Sequence, residues 1–145
     1  GSAVPVSIAN TTVTMTNSSA TESSETITVD LNTLGYVDKA AATTATLGDG
    51  TTIVFDKNSG TTAPTFYTAT KGVRVYKNNT ITINGKKAIA KIVFTCDSDA
   101  KGNYVGNTTA TILFSGNTAT YTNASTETGG GVQLKVQTIT ITYAK

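Results

Sequence analysis

The chain of 145 residues has no histidine and no tryptophan, one cysteine and two prolines. Without histidine, Ser-His-Asp and Cys-His catalysis and histidine-based zinc sites are excluded. A single cysteine, Cys96, excludes an intramolecular disulfide and thiolate metal clusters. In "KIVFTCD" it shares parity with Ile92 and Phe94, which makes it a small buried hydrophobe. Charge is scarce as well: Asp, Glu, Lys and Arg make up 14% of the chain, against about 25% in ordinary soluble domains. The net charge of +2 comes from lysines scattered along the sequence. No basic stripe forms to track phosphates, so nucleic acid is not an expected partner. No apolar run approaches the roughly 20 residues of a membrane helix, so membrane insertion is not expected either.

Threonine is present instead, 32 times. It is β-branched and polar, which suits the outward face of a strand. Compositions rich in Thr, Asn and Gly are typical of bacterial extracellular β domains, so an extracellular or cell-surface location and a monomer are expected. Residues 1–2 read as the remnant of a cloning site, and 3–145 as a single domain. Within it, 3–26 reads as a partly flexible first strand and linker, with the strand at 12–16 and "TNSSATESSE" flexible.

The hydrophobic period is two almost throughout. Val13 and Met15 stand at alternate positions, as do Ile27 and Val29, Ile53 and Phe55, Val73 and Val75, and Ile81 and Ile83. Ile92, Phe94 and Cys96 continue the pattern, followed by Ile112 and Phe114, Ala119 and Tyr121, and the long final segment. Turn signals such as "LGDG", "KNSGTTAP", "KNN" and "NGKK" separate these runs. About ten short strands so arranged predict an all-β, antiparallel sandwich, jelly-roll-like in outline. The alanine cluster in "VDKAAATTATLG" lacks caps and is not expected to form a long helix. In the last segment the apolar residues are even-numbered through Val136 and odd-numbered from Ile139. One regular strand cannot bury both sets, so either a β-bulge near Gln137–Thr138 or burial of both faces is expected there.

Nine carboxylates are available, but nearly all lie in expected turns, where Asp serves as a turn former. An enzyme is therefore not expected. "DSDAKGN" puts Asp97, Asp99 and Gly102 at the first, third and sixth places of a calcium loop. Lys101 occupies a ligand place, however, and Thr108 stands where the closing Glu belongs. No metal or cofactor is expected, with a structural calcium on Asp97 and Asp99 as the one candidate. Phe55, Phe94, Phe114, Tyr121 and Tyr143 follow core parity. Tyr36, Phe66, Tyr67, Tyr76 and Tyr104 fall in loops or on the polar side of strands, where a ring can stack on a sugar. In "GVRVYKNN" the two valines face inward, so Arg74, the sole arginine, faces outward with Tyr76, and Asn78 follows in the turn. Arg74 is either a ligand contact or a cross-strand clamp to Asp30 or Asp56.

From Ile27 to Cys96 the order "ITVDLNTLGY", "GTTIVFDKNSGTTAPTFYTATKGVRVYKNNTITING", "IAKIVFTC", with the closing "ITITY", resembles an accessory domain of secreted multidomain proteins of gut anaerobic bacteria. The resemblance covers about half of the chain plus its end. It implies a β-sandwich module, carbohydrate-binding-module-like, attached to glycan-degrading enzymes, nucleases or surface proteins. The expected function is non-catalytic binding of a polysaccharide or oligosaccharide that targets a larger secreted protein. The expected site is Arg74, Tyr76, Tyr67, Phe66, Tyr36, Tyr104 and Asn78. The alternative is a spacer or adhesin-like sandwich with no small ligand.

Overall fold

Two antiparallel sheets enclose one hydrophobic core in the computed structural model, which describes residues 2–97, 110–124 and 133–145. The strands are β1 (Val4–Pro5), β2 (Ser7–Ala9), β3 (Thr12–Thr16), β4 (Glu22–Asp30), β5 (Ala45–Thr46) and β6 (Thr52–Asp56). They continue as β7 (Thr65–Tyr67), β8 (Gly72–Val75), β9 (Thr80–Asn84) and β10 (Ile89–Cys96). The last are β11 (Thr111–Ser115), β12 (Thr118–Thr122) and β13 (Leu134–Ala144). One sheet has the order β1-β11-β12-β9-β6-β5, the other β2-β3-β10-β13-β8-β7 with β4 also paired to β13. The all-β sandwich expected from the alternation is therefore present. Its strands number thirteen among the described residues, more than the ten expected, because β1, β2, β5 and β7 are only two or three residues long.

The alternating apolar positions supply the core. Val13, Met15, Ile53, Phe55, Val73, Val75, Ile81, Ile83, Ile92, Phe94, Cys96, Ile112, Ala119 and Tyr121 are all buried. Each aliphatic side chain of this kind stabilises the fold by roughly 1.5–3 kcal/mol through removal from water. Phe94 of one sheet meets Tyr121 of the other edge-to-face, with centroids 5.2 Å apart. Burial, and then the charge of Asp97, pushes the Cys96 thiol up to about 12, so it is a hydrophobe rather than a nucleophile.

The final strand resolves its parity conflict by a bulge. Thr138 pairs with Thr95 and Val136 with Cys96, leaving Gln137 as the extra residue. Leu134 and Val136 before it, and Ile139, Ile141 and Tyr143 after it, all point into the core. Lys135 is buried too, so the strand is covered on both faces just before the bulge. At the same place β13 changes neighbour: residues 134–136 pair with β8, and 138–144 with β4. Gly72 of β8 lies so close to this point that a Cβ there would sit 2.2 Å from the Val136 carbonyl oxygen.

One expectation needs correction. Residues 22–26 are not linker but the first half of β4, paired with β13 from Glu22 to Asp30. They looked like linker because Glu22, Ser24, Thr26 and Thr28 occupy the exposed positions of the alternation. The "KNN" turn after β8 joins strands of different sheets, β8 and β9. It is a corner crossing the sandwich. The alanine segment forms no helix, as expected, and serves the sheet instead. Residues 39–42 lie along β7, with Lys39 and Ala42 donating to Phe66 and Pro64 carbonyls and Ala40 accepting from Phe66.

Candidate binding face

Register decides which side chains meet on the outer face of the seven-stranded sheet. Arg74 stands between Thr65 of β7 and Lys135 of β13, and Tyr67 stands opposite Gly72. The Tyr67 ring lies against Arg74 of the neighbouring strand. The guanidinium carbon is 3.7 Å from the ring centroid, a close cation–π contact. The Tyr76 hydroxyl lies near the Tyr67 and Thr65 side chains. Burial, and then the Tyr67 contact, pushes it up to about 12. Arg74, Tyr67 and Tyr76 are thus brought together as three partly exposed side chains on one face.

The other expected residues divide differently. Phe66 is a correction: it is only 4% exposed and pairs with Val73 on the inner face. Tyr36 belongs with it, packing at 5.8 Å on Phe66 and 6.3 Å on Phe55, with its hydroxyl donating to the Thr43 carbonyl at 2.5 Å. Both rings serve the core rather than a ligand. Asn78 has φ 66°, donates its N–H to the Asn123 carbonyl and accepts at its own carbonyl from Asn58 Nδ2. It is a turn residue, of the type that tolerates left-handed backbone. Tyr104 and Asp99 lie outside the described residues. Asp97 is described, and its N–H donates to the Lys135 carbonyl. Among the described residues no three His, Cys, Asp or Glu side chains converge.

The clamp to an acid is also corrected. Asp30 sits opposite Thr138, and Asp56 sits opposite Thr80 in the other sheet. Among the described residues the ion pairs are Lys86–Glu25, Lys87–Glu25 and Lys91–Glu22, and none includes Arg74.

Sequence reasoning missed Asn79, which is wholly buried beneath this face. Its Oδ1 accepts from the Tyr76 N–H, and its Nδ2 donates to the carbonyls of Lys57 and Thr62. One amide therefore ties the corner after Arg74 to the 57–62 loop. Nothing in "KNNT" distinguishes it from Asn78 except that Val75 parity, carried on by four residues, points position 79 inward.

A second polar cluster lies across the sandwich. The Tyr143 hydroxyl donates to Asp49 and contacts the Thr51 hydroxyl, which also accepts from the Lys86 N–H. Lys86 in turn pairs with Glu25. Burial alone would raise the Asp49 carboxyl, but the bonds from Tyr143 and from the Thr51 backbone and hydroxyl hold it below the ordinary range. The Lys86 hydrogen bond does the same for Glu25. Both acids are kept ionised, the opposite of what a general acid requires. The sign for stability follows: depressed carboxyls contribute fully above their unfolded pKa and lose that contribution as pH falls through the folded value. Tyr143→Phe is expected to cost about 1–2 kcal/mol at neutral pH and to shrink the acid sensitivity of the urea midpoint. Tyr121→Phe is the matched control. Its buried hydroxyl has no hydrogen-bond partner among the described residues, so its removal should leave the midpoint unchanged or raised.

A cleft of about 210 Å³ opens between β1, β11 and the turn after β3, lined by Val4, Ile112, Phe114 and residues 16–19. Asn17 there is committed to the Ile89 carbonyl and the Ser19 N–H. Ser2, from the expected cloning remnant, forms part of its wall. Comparison of the chain with protein-family models, with curated proteins and with solved structures gives no match. Fold and face therefore define the protein: an all-β sandwich bearing one arginine–tyrosine cluster on an outer sheet surface.

Proposed function

We propose that the domain is a non-catalytic carbohydrate-binding module, which attaches a larger secreted or surface protein to a polysaccharide outside the cell. The observation that carries this reading is the Arg74–Tyr67–Tyr76 cluster. Its side chains are held in fixed relation on a sheet face that the core does not use. Saccharide sites combine a rigid aromatic surface with a few oriented hydrogen-bonding groups, and this cluster supplies both. The resemblance of residues 27–96 to accessory domains of gut anaerobes supports the same reading. So does the ionised state of Asp49 and Glu25, which suits a module without acid–base chemistry.

Affinity gel electrophoresis against a broad panel of soluble polysaccharides tests it. At least one polymer should retard the protein, and Tyr76→Ala should weaken that retardation roughly tenfold or more while the melting temperature stays within a few degrees. Absence of retardation across the panel would overturn the proposal in favour of a spacer role.

A further inference from the structure

The only arginine of the chain lies 3.7 Å over the centroid of an aromatic ring yet has no acidic partner among the described residues. Its Nε is buried without a hydrogen-bond acceptor among the described residues. A guanidinium in that position has lost part of its hydration and has gained a ring quadrupole, but no counter-charge. The same contact changes what Tyr67 can do. One face of its ring is covered by Arg74, and the Tyr76 hydroxyl is drawn back toward Tyr67 and Thr65. Ring area for stacking on a neutral sugar is therefore reduced, and the group left directed outward is the guanidinium. Lys135 stands opposite Arg74 in register and, with contacts of its own, adds a second positive charge to this part of the sheet.

Resting on the carbohydrate-binding reading above, we infer that the ligand is an acidic saccharide, a uronate-bearing chain whose carboxylate takes the free edge of the Arg74 guanidinium. A planar fork matches a carboxylate with two parallel N–H···O bonds, which a lysine cannot reproduce. Stacking on Tyr67 fixes the plane of the fork beforehand, so less side-chain freedom is lost on binding. A neutral sugar would cover the same cation without neutralising it.

The test compares polygalacturonate with its highly methyl-esterified form in affinity gels, alongside a neutral β-glucan and galactomannan. Esterification removes the charge and leaves the sugar backbone. The expected result is retardation by polygalacturonate that falls roughly tenfold or more on esterification and weakens with added salt. Arg74→Gln should abolish it, Arg74→Lys should retain only a minor part, and Lys145→Gln, a distant exposed control, should change little. Equal binding of the acid and the ester, or equal losses in Arg74→Gln and Lys145→Gln, would overturn the inference. Retardation by the neutral polymers alone would overturn it too, yet leave the carbohydrate-binding reading standing. Retardation by none of the four, or by any wider panel, removes that reading itself. The ester comparison uses the unaltered protein, so the result stands even if an Arg74 variant misfolds.

Discussion

Asn79→Ala should lower the stability of the domain by roughly 3–5 kcal/mol, near the upper end of what single substitutions do. Alanine removes three side-chain hydrogen bonds, those with the Tyr76 N–H and with the carbonyls of Lys57 and Thr62. Asn79 is 0% exposed, so water does not readily replace them. Each buried backbone group stranded without a partner costs about 1–3 kcal/mol. The effect should also be local at first, since the corner joins β8 to β9 and carries Tyr76. Urea unfolding is the measurement: the midpoint should drop sharply with an unchanged slope. A loss below about 1 kcal/mol would mean that the corner is held by its backbone bonds alone. Asn79→Asp should be at least as damaging, because it keeps the acceptor but sets a negative charge against two carbonyl oxygens.

Gly72→Ala is the second severe case, expected to cost roughly 3 kcal/mol or more. The added methyl would lie 2.2 Å from the Val136 oxygen, 2.8 Å from its carbonyl carbon and 3.3 Å from Gln137 Cα. All three atoms are backbone, so no side-chain rotation relieves the overlap, and β8 must move away from β13. That movement would also separate Tyr67 from the surface against which it lies. Gly48→Ala makes the comparison, because nothing lies within 4 Å of a Cβ there. It should be neutral or stabilise by about 0.4–1 kcal/mol through the unfolded chain. Equal melting temperatures for the two variants would show that β8 and β13 yield more easily than their close approach implies.

The strands were legible in the sequence because threonine and aliphatic residues alternate so regularly that parity alone marks the inward face. The bulge at Gln137 was legible for the same reason, since a parity switch has few physical solutions. The corners were not. A strand after "KNN" buries its alternate residues whether it returns to the same sheet or crosses to the other. Phe66 was misplaced because "TFY" is too short for a period to show, and two adjacent aromatic residues must face opposite ways. Parity with Val73 sends Phe66 inward and leaves Tyr67 outside. For Arg74, sequence reasoning found the face but not the neighbour. Coulombic expectation favoured an aspartate, whereas the strand order puts Asp56 in the opposite sheet and Tyr67 beneath the guanidinium.

The change of neighbour along β13 also bears on how the domain comes into being. β4, β8 and β10 all pair with this one strand, and it is the last in the chain. Until residue 144 has left the ribosome, β4 has no strand to pair with and β8 joins only the short β7. Assembly of the seven-stranded sheet is therefore a late, long-range event, with contacts as distant in sequence as Glu22 and Ala144. Domains of that kind fold slowly. The face carrying Arg74 is completed only when β13 docks against β8.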